Sequence, residues 1–161
     1  MVTQEKLKEH LSYDAETGLF CRIKSYQNQR LGKVVGGLDA DGYRTIGLQH
    51  KHWRAHRLAW LYVYGKFPDS ELDHINGNRD DNRICNLREV SPAGNSQNQR
   101  KSHDDSTYGL LGVDYNKTKN RFRARIQIGG VRITLGGFSN PQDAHEAYLK
   151  AKRDFHSTCT I

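Results

Sequence analysis

Between Glu71 and Val90, two short strand-like segments flank a stretch of polar residues and turn formers, and this arrangement constrains the fold more than any other part of the chain. Glu71 to Ile75 and Ile84 to Val90 have the length and side chains of strands. Asn76 to Arg83 is almost wholly polar, and Ser91-Pro92 opens a helix by capping and by proline in the first turn. The unit reads strand, loop, strand, helix. Asp73 and His74 sit side by side on its first strand. Asn82, Asn86, Asn95 and Asn98 follow where a folded-back hairpin and helix return them toward the same place. Such a grouping suits the activation of water beside one divalent metal. In a regular strand Asp73 and His74 point to opposite faces, so a local distortion is expected if both act at one centre.

Two decoys fall away. An Asp-His pair alone is usually structural, but here it comes with asparagines in a strand-strand-helix context. A calcium loop needs a carboxylate five residues before its glycine, and Leu72 stands there relative to Gly77.

The rest of the chain reads as short elements. Thr3 to Leu11 is a helix capped by Thr3, and Leu19 to Ile23 is a strand after the turn Asp14–Gly18. Val34 to Gly37 and Tyr43 to Leu48 are strands around the turn Asp39–Gly42. His52 to Tyr64 reads as a helix with Ala55, Leu58, Ala59 and Tyr62 on one face, ended by Gly65. His50 and His52 are read as solvent or phosphate contacts, and His56 as packing or binding near the site. Apolar residues make up 35% of 161, which favours two small cores over one large one. Cys21, Cys85 and Cys159 are scattered and odd in number, as in a cytosolic protein with reduced thiols. No signal peptide or membrane span is visible. The net charge of +7 suits a polyanionic partner.

The opening text resembles the HNH endonuclease family, particularly its homing branch. The residues that carry the resemblance are Asp73-His74-Ile75-Asn76-Gly77, Asp81-Asn82, Asn86-Leu87-Arg88 and Asn95-Ser96-Gln97-Asn98-Gln99, with His56-Arg57-Leu58 upstream. It spans roughly residues 10–100. The resemblance implies a ββα-metal fold with His74 as general base, since an unperturbed imidazole titrates near neutrality. It implies that Asn86 orients His74 across the hairpin. It also implies that Asp73 and Asn95 hold one Mg2+ or Mn2+ through hard oxygen ligands, with Asn98 the second choice beside Asn95. Asn95 stands where many members have His, which disfavours zinc. Homing members are common in phages and other mobile elements, so the expected setting is the cytoplasm of a host cell.

Downstream the pattern changes. Lys101 to Thr107 is polar and aperiodic, and is expected to link an HNH domain (1–100) to a second domain (108–161). Leu110 to Tyr115, Arg121 to Ile128 and Val131 to Phe138 are strands, with Gly129-Gly130 a hairpin turn. Asn140 caps a last helix whose Ala144, Ala147, Tyr148, Ala151 and Phe155 share a face. The fold class is α+β, a ββα-metal unit followed by a three-stranded antiparallel sheet and one helix. From Tyr115 to Phe138 there are six basic residues and no acidic one. In the middle strand Phe122, Ala124, Ile126 and Ile128 face one way, and Arg121, Arg123, Arg125 and Gln127 the other. Arg132 and Thr134 join the polar row from the next strand. Such a row can enter the DNA major groove. Arginines on adjacent strands repel unless an anion compensates.

This half resembles the DNA-binding domain of plant ethylene-response factors, the APETALA type. Gly112-Val113, Arg121 to Ile126, Leu135 to Phe138 and Ala144 to Tyr148 carry the resemblance, over about residues 108–156. Asp114 departs from it, standing where that family commonly has a base-contacting Arg. Together the two halves imply a metal-dependent endonuclease on double-stranded DNA, in which a monomer nicks one strand. The competing class is a DNA-binding regulator with a silent nuclease domain. An RNA-binding protein ranks last, because the middle strand lacks the exposed aromatic pair used for base stacking.

Overall fold

The first helix, α1 (Gln4–His10), starts where the Thr3 hydroxyl accepts from Lys6 N at 3.3 Å. The structure, a computed structural model, describes residues 2–24, 31–97 and 108–156. β1 (Leu11–Tyr13) follows directly and pairs antiparallel with β2 (Phe20–Arg22). The turn between them is built by Asp14, whose carboxylate accepts from Glu16 N at 2.9 Å and Thr17 Oγ1 at 2.8 Å. β3 (Gly37–Leu38), β4 (Arg44–Leu48) and β5 (Lys51–Arg54) form a second antiparallel sheet in that order.

The helix expected from His52 begins later, as α2 (Ala55–Tyr64). Lys51 to Arg54 is strand instead, paired with β4 from Leu48↔Lys51 to Thr45↔Arg54. Trp53 lies opposite Ile46, and an aromatic across from a β-branched residue favours the sheet. The helix buries Ala55, His56, Leu58, Ala59 and Leu61. With Leu7, Leu11, Phe20, Ile46, Leu48 and Leu87, its apolar side chains make one core.

β6 (Glu71–His74) and β7 (Leu87–Val90) are the strands of the motif, paired Asp73↔Arg88 and His74↔Leu87. The second strand is shorter than expected, because Ile84–Asn86 is a 3-10 turn with Asn86 N on Arg83 O at 2.9 Å. α3 (Pro92–Gln97) follows. The chain divides into two compact units, residues 1–92 and 93–161, so the division falls at the start of α3. The expected linker at 101–107 lies outside the described residues, as do Asn98 and Cys159.

In the second unit β8 (Val113–Asn116), β9 (Arg121–Ile128) and β10 (Val131–Phe138) form an antiparallel sheet in the order β10-β9-β8. α4 (Pro141–Phe155) lies on it, capped by Asn140, whose side chain accepts from Asp143 N at 2.8 Å. Ala144 and Ala151 on the helix and Ala124 and Ile126 on β9 are buried. Gly112 is needed for this close packing, because a Cβ there would enter the Tyr148 ring. Phe155, expected on the buried face, is 59% exposed. The buried place at the helix end is taken by His156, whose Nε2 donates to Gln127 O at 2.9 Å. Among the described residues no helix is long and apolar enough to cross a membrane.

Candidate active site

The β6–β7 ladder runs without a register shift through His74, so the expected distortion is not in the strand. The chain turns immediately afterwards, with Gly77 N on His74 O at 2.8 Å. Asp73 and His74 are both buried. Asp73 meets Arg88 opposite it, and Oδ2 accepts from Nη2 at 2.8 Å and Nε at 3.1 Å. His74 meets Asn82, whose Oδ1 lies 3.3 Å from Nε2.

Asn82 is fully buried and held on three sides. Its Nδ2 donates to Asp80 O at 3.0 Å, which directs the amide oxygen toward His74. Its own backbone carbonyl accepts from the Tyr13 hydroxyl at 2.8 Å. Burial pushes the Tyr13 phenol up to about 12, so it remains a donor. Gly18 from the first hairpin presses on the same point, and a Cβ there would collide with the Asn82–Arg83 backbone. Because an amide oxygen can only accept, Nε2 of neutral His74 carries the hydrogen. The lone pair is then on Nδ1, which is the nitrogen able to take a proton. Burial, opposed by the Asn82 bond and by Asp73, holds the His74 pKa below its ordinary value. The imidazole is therefore neutral at neutral pH.

The expected bond from Asn86 to His74 is replaced by the one from Asn82. Asn86 is committed to the loop: Oδ1 accepts from Asn76 N at 3.0 Å, and Nδ2 donates to Asn76 Oδ1 at 3.1 Å and Asp81 O at 2.8 Å. These bonds engage both its N–H groups and its oxygen. Asp81 accepts in turn from Asn76 Nδ2 at 2.7 Å and from Arg83 at 2.6 and 2.8 Å, and Arg83 above all holds its carboxyl down at about 2. Arg44 on β4 clamps Asp80 with two bonds of 2.7 and 2.8 Å. The polar loop is thus a rigid frame behind His74.

A second imidazole stands against the first. The His56 ring meets the His74 ring edge-on, with centroids 5.1 Å apart. Burial, then the neighbouring His74, holds His56 down at about 3. Its Nδ1 is buried with no hydrogen-bond partner. Tyr43 lies 5.4 Å from His56 and 5.9 Å from His74, and the guanidiniums of Arg54 and Arg79 lie over its ring at 4.0 and 4.8 Å. Asn82 stands in the motif, but the sequence alone gives it no role. Tyr13 and Tyr43 carry no local signal that would mark them as part of the site.

For a metal, the donor chemistry fits a hard ion: Asp73 is a buried carboxylate and Arg88 engages its Oδ2. Asn95 is half-buried on α3 in the second unit. Among the described residues no three His, Cys, Asp or Glu side chains gather as a cluster able to hold a metal, so a site here rests on one carboxylate with amide oxygen or water.

On the second unit's sheet, Arg121, Gln127, Arg132 and Thr134 are exposed. Arg132 pairs with Gln127 and Thr134 with Arg125 across β9–β10, so they share a face. Arg123 and Arg125 are half-buried, and Asp114 on β8 accepts from both, at 2.8 and 3.0 Å from Arg123 and also from Arg125. The anion that relieves the arginine row therefore comes from the chain itself.

A family model described as HNH endonuclease matches residues 54–97. Protein 3.8 of Escherichia phage T7 is 32% identical over 82 residues, which cover 50% of this chain and 67% of that protein. The solved structure of the HNH homing endonuclease I-HmuI, a study of its DNA binding and cleavage, aligns with a TM-score of 0.45 and 26% identity over 92% of this chain and 88% of that one.

Proposed function

The chain belongs to the HNH endonuclease family, and from that premise we propose that it nicks duplex DNA by metal-dependent hydrolysis, with His74 as the general base. It is a DNA nuclease. The observation that carries the finer reading is His74 itself: buried, neutral, and bonded through Nε2 to Asn82, with Nδ1 left as the basic nitrogen. Nδ1 takes the proton from a water, and the oxygen attacks phosphorus opposite the leaving oxygen. Tyr43 and His56 pack against the imidazole. Asp73 would hold one Mg2+ or Mn2+ together with amide oxygen or water, and the ion would supply positive charge at the phosphate.

The homing-type reading adds a second function for residues 108–156, which keep the expected sheet and helix. Its exposed Arg121, Gln127, Arg132 and Thr134 form the surface offered to DNA, and Asp114 holds Arg123 and Arg125 in reserve. Supercoiled plasmid, incubated with and without chelator, tests the whole reading. Open circles that need added Mg2+ or Mn2+ support it, and mobility shifts without any cleavage favour the silent regulator.

A further inference from the structure

Away from His74, the first unit buries an arginine that meets no acid among the described residues. Arg22, at the end of β2, is 3% exposed. Its Nε has no hydrogen-bond partner, and Nη2 makes a long bond of 3.5 Å to Gly47 O. Among the described residues no carboxylate pairs with it. A guanidinium keeps its charge at any ordinary pH, so burial does not neutralise it as it would a lysine or histidine. A buried charge without a counter-charge is costly and calls for an anion.

Arg22 lines a cavity of about 170 Å3 together with His10, Gly47, Leu48, Gln49 and His50. That is far more than the ~10–15 Å3 that admits one water. Two imidazoles share its wall. His10 Nδ1 lies 2.9 Å from Lys6 O, and a carbonyl only accepts, so Nδ1 carries hydrogen and Nε2 is left for other partners. His50 sits in the two-residue turn between β4 and β5. Gln49 and His50 have φ of 54° and 60°, where turns of this kind usually place Asn and Gly. The fold accepts this backbone cost at the rim of the cavity.

We propose that this cavity is an anion site for a single phosphate group, with Arg22 as its fixed cation and His10 and His50 as donors at its wall. A phosphate of the DNA backbone and free inorganic phosphate share the required chemistry. The DNA source rests on the nuclease reading; the anion site does not. Tyr43, packed near His74, precedes β4, and Gly47 lies four residues on, about 13 Å at ~3.3 Å per residue. One helical turn of duplex DNA, ~34 Å, exceeds that separation, so the phosphate held here and the one cut can belong to a single duplex.

Inorganic phosphate titrated into the full chain, at constant ionic strength with chelator present, provides the test. The readout is the imidazole NMR signals of His10 and His50. Saturable shifts are expected, abolished in Arg22→Gln and weakened severalfold in His50→Gly, which relieves the positive φ and leaves the fold intact. A response that never saturates, or equal saturation in a folded Arg22→Gln chain, overturns the site. If Arg22→Gln does not fold, His50→Gly decides the matter, and unchanged phosphate affinity there overturns the site. In a second arm, uncut duplex is expected to displace phosphate from both histidines. Duplex that binds without displacing it removes DNA as the source and leaves free phosphate as the ligand. Cleavage enters neither readout, so loss of the nuclease reading would leave the anion site standing.

Discussion

The side-chain oxygen of Asn82 lies 3.3 Å from His74 Nε2, inside a site where Asn82 itself has no exposed surface. This pairing sets which nitrogen of His74 is basic. Asn82→Asp would place a carboxylate against Nε2 and raise the His74 pKa. The base must be neutral to act, so nicking falls as pH drops through its pKa. With His74 as the base, the lowered value in the native protein is expected to extend activity below the ordinary imidazole range. We expect the acid limb of the single-turnover nicking rate to move to higher pH in Asn82→Asp. An unmoved limb would remove Asn82 from the role given to it.

Removing the base itself should cost roughly 10²–10⁴-fold in the nicking rate, the usual contribution of a positioned general base. His74→Ala is therefore expected to bind labelled duplex normally while converting supercoiled plasmid hardly at all. Asp73→Ala should abolish cleavage, with no recovery as Mg2+ is raised. Continued nicking by His74→Ala at the native rate would assign the base elsewhere.

Asn86 separates a frame from a catalyst. Its three side-chain bonds all hold the loop, so Asn86→Ala should destabilise the protein by about 2–3 kcal/mol, the cost of leaving such buried groups unmatched. Urea unfolding measures this. A large loss of nicking with an unchanged urea midpoint would return Asn86 to the orienting role expected from the sequence.

His56 links folding to pH. Its imidazole titrates near 3 in the folded chain and near ~6.5 when unfolded. Between those values the unfolded state binds a proton that the folded state does not. Stability is therefore fully present above about pH 6.5 and lost as pH falls toward 3, at no more than ~1.4 kcal/mol per pH unit from this residue. The urea midpoint of native protein should decline over that window, and more gently in His56→Phe. Identical slopes would show that other groups carry the acid sensitivity.

In the second unit, Asp114 restrains two arginines. Asp114→Asn should release them, so that DNA binding tightens and its salt dependence steepens, by about 0.9 in log–log slope for each phosphate newly contacted. Arg121→Ala and Arg132→Ala should each flatten the slope by a similar amount. Fluorescence anisotropy across a salt series reads all three. A slope insensitive to both arginines would take DNA off this face.

Much of the architecture is local and legible from residues alone. The alternation of β9, the Asn140 cap and Pro141 start of α4, and the Thr3 cap of α1 each follow from neighbours within a few positions. The strand–loop–strand–helix order of the motif is legible for the same reason. His52 to Arg54 reads as helix in isolation yet folds as strand, because its partner strand, not its own composition, decides its state. Phe155 matches the buried face by spacing yet stays exposed. The packing of a helix end depends on what else reaches the sheet, and His156 does.

What the sequence by itself determined is the chemistry available: a histidine beside a carboxylate, asparagines in reach, and a basic sheet to follow. Tertiary structure alone decided how those groups are used. Asn82 rather than Asn86 meets His74, because Tyr13, Gly18 and Asp80 converge on it, the first two from distant positions. Asp114 pairs with Arg123 and Arg125 of the arginine row because β8 lies beside β9. Arg22 is buried with no carboxylate partner among the described residues. Each of these depends on burial and on directional bonds that the folded chain alone brings about. Local propensity cannot encode such geometry, because the free energy of a buried polar group is set by whichever partner the fold brings within about 3 Å.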